Sequence, residues 1–204
     1  MLHCVNSQED WALEAVQEAT AIFEEIEDGK GLALVQHTLV QVYLQKDQTQ
    51  DAITACGKAQ HLFKDADDWG WVARANMTFS QIYRKTGDAG KAAGFAQRAS
   101  WAFEDVGDKK GMATALLEAA EIHFATMAFD RALRTAQKAE KLLDGVGFPK
   151  SQATAMQLMA NISLTQEDPQ ESIRAASNAR ALFKKVDDKR MECMANQTIV
   201  SAHI

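Results

Sequence analysis

The sequence repeats itself every 40 residues, and this period constrains the fold more than any other feature. A shift of 40 residues brings the blocks that begin at residues 21, 61, 101, 141 and 181 into register without a gap. One column holds only alanine and another holds phenylalanine or leucine: Ala19, Ala59, Ala99, Ala139 and Ala179, then Phe23, Phe63, Phe103, Leu143 and Phe183. Fixed periods of 20–50 residues are typical of stacked repeats, in which each unit buries its apolar face against its neighbours.

Each unit is predicted to contain two helices, so the fold class is all-α with about ten helices. In the second helix of one unit, Ala52, Cys56, Ala59 and Phe63 recur at spacings of three and four, which places them on one helical face. The first helix shows the same spacing in its apolar and small residues. Three acids lie at or near predicted second-helix starts, where they can cap free amides: Asp51, Asp88 and Asp130.

The period predicts a single solenoid over residues 1–204, with helix-pair repeats at 29–68, 69–108, 109–148 and 149–188. Residues 1–8 are assigned as an N-terminal tail. Residues 9–28 align with a second helix that has no first helix before it, and residues 189–204 with a first helix that has no second helix after it. Such end helices lack their expected cover. We therefore expect either a longer protein or ends that are covered by a partner or another copy.

The motif in each unit resembles the tetratricopeptide repeat (TPR). That family has a bulky residue, a small residue and an aromatic residue in the first helix, then small residues in the second. The matching residues of two units are Leu39, Val40, Tyr43, Ala52, Cys56 and Ala59, then Phe79, Ser80, Tyr83, Ala92, Ala96 and Ala99. The unit is longer than the usual length of about 34 residues, which resembles the scaffolds that tie G-protein α subunits to spindle-orientation proteins. The family's tryptophan position holds Gln36, Asn76, Leu116 and Met156.

This resemblance implies a right-handed superhelical solenoid of antiparallel helix pairs whose first helices line a concave, partner-binding groove. The groove positions carried over from the family are His37, Gln41, Arg74, Met77, Gln81, Arg84, Leu117, Glu121, Phe124, Gln157 and Asn161. Their mixture of cations, amides and apolar groups favours a peptide or helix that carries acids beside an apolar anchor. His37 and Gln41 stand where chaperone-binding members have lysine and asparagine, so a terminal carboxylate is not the expected ligand.

Composition and charge exclude several classes of function. The net charge of −6 argues against a nucleic-acid partner. No apolar run reaches the length of a membrane span, and the first residues are not a secretory signal. Cys56 and Cys193 fall in small-residue columns, which predicts reduced core thiols and a reducing, cytoplasmic compartment, with a eukaryotic organelle left open. The five histidines show no metal-ligand spacing.

No catalytic residues, metal or cofactor are expected, because no serine, cysteine or threonine lies in a sequence pattern typical of an activated nucleophile. The leading hypothesis is therefore a scaffold that binds other proteins and is not an enzyme. The alternative is a structural subunit of a larger assembly that uses its convex face and uncapped ends, including self-association through the terminal helices. A third reading, a regulatory segment of an enzyme whose catalytic part lies elsewhere, remains open.

The termini differ in charge: residues 1–30 contain eight acids and one base, and residues 171–204 contain six bases and four acids.

Overall fold

A computed structural model describes the backbone of residues 3–204 and the side chains of Trp11 and residues 13–204. This part of the chain forms ten α-helices and no strand, which confirms the predicted all-α class. The helices are α1 His3–Glu25, α2 Gly29–Gln45, α3 Thr49–Asp65, α4 Trp69–Lys85, α5 Ala89–Asp105, α6 Lys109–Ala125, α7 Phe129–Leu143, α8 Pro149–Thr165, α9 Pro169–Lys185 and α10 Lys189–Ser201. From α2 onward a helix begins every 20 residues. The 40-residue repeat is therefore a pair of helices of nearly equal length.

The first helix begins earlier than the sequence indicates. We expect a tail over residues 1–8, whereas α1 begins at His3. The segment HCVNSQ contains neither proline nor glycine, so no helix breaker separates it from the amphipathic part of α1. Acidic N-caps explain most of the other helix starts. At five helix starts, the N-cap aspartate accepts a hydrogen bond from the backbone amide three residues later in the chain: Asp28, Asp68, Asp108, Asp168 and Asp188.

The turns between helices use left-handed backbone conformations at regular intervals. Gly87 has a φ of 80° and Gly107 a φ of 74°, while non-glycine residues hold most of the equivalent positions. These non-glycine residues are Glu27, Asp47, Asp67, Met127, Glu167 and Asp187. In each case the preceding helix ends in backbone hydrogen bonds of the kind formed by Asp28 N to Phe23 O at 2.9 Å. The chain thus reverses direction within three residues at each of these turns, whereas five residues, 144–148, join α7 to α8.

The described residues divide into two compact units, one up to Ala102 and one over Phe103–Ile204. In the first unit, α2 packs on α3 and α3 on α4. The buried core there is Leu39, Val40, Ala52, Ala55, Cys56, Ala75, Phe79 and Ile82. In the second unit, α6 to α10 pack in chain order, and Ala153, Ala179, Phe183 and Ala195 form one of the core clusters.

The alanine column predicted from the sequence lies where the helices pack, except that Ala19 in α1 is only half-buried. Ala59, Ala99, Ala139 and Ala179 are all fully buried, and Phe63 and Phe183 are fully buried beside two of them. Small side chains at these positions let neighbouring helices approach, and the rings fill the space next to them. One cysteine departs from the pattern. Cys56 is buried as predicted, but Cys193 is exposed, because the described chain places no helix over that side of α10.

Candidate protein-binding faces on the first helices

In the first unit, two neighbouring first helices form a polar cluster from His37, Trp71, Arg74 and Thr78, here called the His37–Arg74 cluster. His37 Nε2 lies 3.1 Å from Thr78 Oγ1, and that hydroxyl donates to the carbonyl of Arg74 at 3.1 Å. The hydroxyl oxygen therefore accepts from the Nε2–H of His37. The edge of the histidine ring also meets Trp71, with centroids 5.4 Å apart and planes at 72°.

Arg74 presents an exposed cation at this cluster. Its guanidinium carbon lies 5.2 Å from the centroid of the Trp71 ring, while the side chain remains exposed. Burial lowers the pKa of His37, and the neighbouring Arg74 lowers it further. His37 is therefore neutral at physiological pH and acts here as a hydrogen-bond donor. The cluster combines one fixed positive charge with neutral polar groups.

The other predicted groove residues of this unit lie beside the cluster. Gln41 and Gln81 are exposed on α2 and α4, Met77 is half-buried, and Arg84 is exposed near the end of α4. Beyond Arg84, Lys85 is held by its Nζ, which donates to the carbonyl of Leu44 at 2.8 Å and pairs with Asp47 at 2.5 Å. These contacts fasten the ends of α2 and α4 to each other.

In the second unit, the structure exposes some of the predicted groove residues and buries others. Glu121 is exposed, and Phe124 is half-buried with its ring 5.9 Å from that of Phe129. Leu117 is only 9% exposed and Gln157 only 4% exposed. Neither side chain lies open on the surface, because the following first helix packs beside each one: α8 next to α6, and α10 next to α8.

Gln157 belongs to a buried network of polar groups. Its Nε2 donates to Thr198 Oγ1 at 2.8 Å and to Asn161 Oδ1 at 3.0 Å. Its Oε1 is buried and has no hydrogen-bond partner among the described residues. An unpaired buried oxygen costs stability.

Sequence analysis missed a set of contacts between successive first helices. Lys30 pairs with Asp68 at 2.5 Å, and Lys150 with Asp188 at 2.8 Å. At the equivalent place, the Lys110 ammonium lies 4.9 Å from the ring of Phe148 instead. In the two ion pairs the lysine lowers the pKa of the aspartate, which is also the N-cap of its helix. The recurrence of aspartate at positions 28, 68, 108 and 188 was the available signal.

Other kinds of site are absent from the described residues. Over that range, no group of three or more histidine, cysteine or acidic side chains is arranged to hold a metal ion. None of the helices, as far as they are described, is long and apolar enough to cross a membrane. Among the tryptophans, Trp69 and Trp101 are about half exposed, while Trp71 stacks on Phe63 at 5.2 Å.

No family model and no curated protein sequence matches this chain. Solved structures do match it. Aspartyl phosphate phosphatase F from Bacillus subtilis gives a TM-score of 0.83 at 13% identity, over 94% of this chain and 52% of that one. Kinesin light chain TPR-like repeats from Podosopora anserina give 0.70 at 14%, over 90% and 91%. The Rap conjugation gene regulator of plasmid pLS20, in complex with the Phr peptide, gives 0.69 at 16%, over 92% and 51%.

This chain therefore spans about half the length of two of these proteins. At such low identities the likeness establishes the fold, an all-α helical-repeat solenoid, and no more than the fold.

Proposed function

We propose that this chain, which has a tetratricopeptide-type repeat fold, is a scaffold that binds a peptide or helical segment of another protein on its first helices. The observation that carries the proposal is the His37–Arg74 cluster. Two successive first helices build it, and it presents an exposed guanidinium that is already held against an aromatic ring. A group held in place before binding loses less conformational entropy when a ligand arrives.

The chemistry of the cluster favours an acidic ligand. Arg74 offers forked donors that match a carboxylate, and Gln41 and Gln81 offer exposed amides on the same two helices. In the same unit, half-buried Met77 on α4 can provide an apolar contact. We therefore expect a segment with acids next to an apolar anchor. The Rap regulator solved with the Phr peptide has a similar fold, which supports a peptide as the ligand class.

The proposal assigns no catalytic step, metal or cofactor to this chain. One structural neighbour is named as a phosphatase, but this chain spans only about half of that protein. Reduced Cys56, buried in the core, supports a reducing compartment such as the cytoplasm.

Charge reversal at the cluster tests the proposal. Short labelled peptides with acids flanking one aromatic or leucine residue would be screened by fluorescence anisotropy, and the best binder titrated at low and physiological salt. Arg74→Glu should weaken binding about tenfold or more, because it replaces an attraction with a repulsion. Arg98→Glu is the matched control: it reverses the same charge on the second helix α5, where Arg98 is also exposed and lies over a ring.

Equal losses in Arg74→Glu and Arg98→Glu would contradict a specific site and leave only a general charge effect. A peptide that binds Arg74→Glu as tightly as the natural chain would remove the cluster from the site. Circular dichroism of each variant checks that the helices are intact.

The second candidate function is a subunit of a larger assembly that makes contacts through its ends. It is favoured by exposed apolar side chains on the terminal helices, Ile22, Met194 and Val200, and by exposed Ile26 directly after α1.

A further inference from the structure

The outer side of α10 has the composition of a buried surface but is exposed. The twelfth residue of each first helix is fully buried in four successive repeats: Val40, Ser80, Ala120 and Ala160. The equivalent residue of α10, Val200, is 59% exposed. Cys193 likewise is exposed, although its equivalents Ala33, Ala73, Ala113 and Ala153 are fully buried. In the other repeats the second helix of the same pair covers these columns. Val40 clusters with Ala52 and Cys56, and Ala33 with Ala59.

The opposite situation occurs at α1, a second helix that packs on α2 but has no first helix of its own pair in the described chain. A depression of about 370 Å³ runs between α1 and α2, and its lining includes Ala15, Ala19, Leu34 and Thr38. Thr38 is exposed, but its equivalent Thr78 is only 5% exposed. Ala15 is exposed, but its equivalent Ala55 is only 4% exposed. The lining is apolar except for one hydroxyl, so it is complementary to the apolar face of a first helix.

We propose that α10 of one copy fills the depression between α1 and α2 of a second copy, so that the two chains join head to tail. In this arrangement α10 and the second copy's α1 form one more helix pair. The second copy then continues the repeat at an offset of five 40-residue steps. Val200 would lie against Ala15 and Val16 of the second copy, and Cys193 against its Ala19. This inference specifies the second candidate function and is independent of ligand binding at the His37–Arg74 cluster.

The same offset places polar partners opposite each other. Each unit contains a hydrogen bond between first-helix residues 41 positions apart: His37 with Thr78 in one unit and Gln157 with Thr198 in the other. Gln197 occupies the equivalent position of α10 and is exposed. In the continued repeat, the residue 41 positions after it is Thr38 of the second copy. A neutral amide and a hydroxyl can form the same bond there.

The ion pairs between first helices follow the same rule. Lys30 with Asp68 and Lys150 with Asp188 are 38 positions apart. At that distance, exposed Arg190 faces Asp28 of the second copy. The wider charge distribution agrees, since Arg190 lies in the segment with excess bases and Asp28 in the strongly acidic first 30 residues. Complementary charge favours this pairing of unlike ends over the pairing of like ends.

A mixing experiment distinguishes this arrangement from other modes of association. Val200→Glu places a charge on the exposed side of α10, and Leu34→Glu places one in the depression. Thr54→Glu, at an exposed position of α3, is the control. Sedimentation velocity over a concentration series should show association for the natural chain and for Thr54→Glu. Val200→Glu and Leu34→Glu should each remain monomeric, but an equimolar mixture of the two should form a one-to-one dimer, because each retains one intact end.

Three results would overturn the proposal. The natural chain could stay monomeric up to millimolar concentration, where even weak contacts populate a complex. Either end variant could self-associate by itself, which would indicate contact between like ends or coverage by a different surface. The mixture could also remain monomeric while the natural chain associates. Circular dichroism confirms that the variants remain helical.

A disulfide test checks the register of the contact. In a Cys4→Ser background, Ala19→Cys should form a covalent dimer and higher species with the natural Cys193 under mild oxidation. Thr54→Cys in the same background should not. The buried Cys56 does not compete, because burial raises the pKa of its thiol to about 12. Cross-linking of Ala19→Cys at no greater rate than Thr54→Cys would refute the register.

Discussion

Replacing Gln157 with leucine should stabilise the second unit, although it removes two hydrogen bonds. The side chain is 4% exposed, and its Nε2 donates to Thr198 and Asn161 while its Oε1 is buried without a partner among the described residues. The equivalent position of the preceding repeat is a buried leucine, Leu117, which shows that this side chain fits the column.

The expected gain follows from three opposing contributions. Loss of the two hydrogen bonds costs about 2 kcal/mol, since each contributes roughly 1 kcal/mol net. Removing the unpaired oxygen returns about 1–3 kcal/mol, and burying the leucine side chain contributes about 1.5–3 kcal/mol at most. Thr198 keeps the carbonyl of Met194 as an acceptor at 3.2 Å, and Asn161 is partly accessible to water. The free energy of unfolding should therefore rise by about 0.5–4 kcal/mol.

Urea denaturation followed by circular dichroism measures this change, and thermal melting should show an increase of several degrees. Gln157→Glu is the paired control. It removes the donor and buries a carboxylate, so it should lower the free energy of unfolding by at least about 2 kcal/mol. A loss of 1 kcal/mol or more in Gln157→Leu would refute the reasoning, because it would mean that the two hydrogen bonds outweigh the cost of the unpaired oxygen.

Three further predictions concern other parts of the structure. Met127 has a φ of 59°, so Met127→Gly should raise the free energy of unfolding by about 0.5–1 kcal/mol. Gly87 has a φ of 80°, so Gly87→Ala should lower it by about 1 kcal/mol. Urea titration of both variants measures the two changes. Phe183→Ala should cost about 3–5 kcal/mol in the same assay, because the ring is fully buried. The pKa of His37 is lowered by burial and by Arg74, so stability should be complete above pH 6.5 and fall below it, as the unfolded chain takes up the proton first. In an NMR titration, Arg74→Gln should move the His37 midpoint upward; an unchanged midpoint would contradict the stated role of that charge.

The helix pairs could be predicted from the sequence because the packing they need recurs in every unit. Ala59, Ala99, Ala139 and Ala179 are fully buried, as their column predicts. Spacings of three and four place a stripe on one helical face, and that geometry is local to each helix. Of the three acids predicted near second-helix starts, Asp88 accepts from the amide of Lys91 as an N-cap does. Asp51 and Asp130 lie instead in the first turns of α3 and α7, whose N-cap residues form no side-chain hydrogen bond.

Candidate site residues were less predictable, because exposure depends on neighbours 40 residues away. Leu117 and Gln157 occupy the same helical position as half-buried His37 and Met77, but they are more deeply buried. The difference arises from side chains on the next first helix, such as Thr198 against Gln157. The repeat pattern identifies which face of the helix is involved and does not show how deeply each side chain is covered.

The all-α class, the two-helix repeat and the columns of small residues can be derived from the sequence, since they follow from periodicity within single helices. Which first helices touch, and through which atoms, depends on the tertiary packing. The pairs Lys30 with Asp68 and His37 with Thr78 join residues 38 and 41 positions apart, and no local pattern relates such distant residues. The tertiary structure also decided that Cys193 is exposed while Cys56 is buried, because burial requires a second helix on the outer side and α10 has none within the described chain.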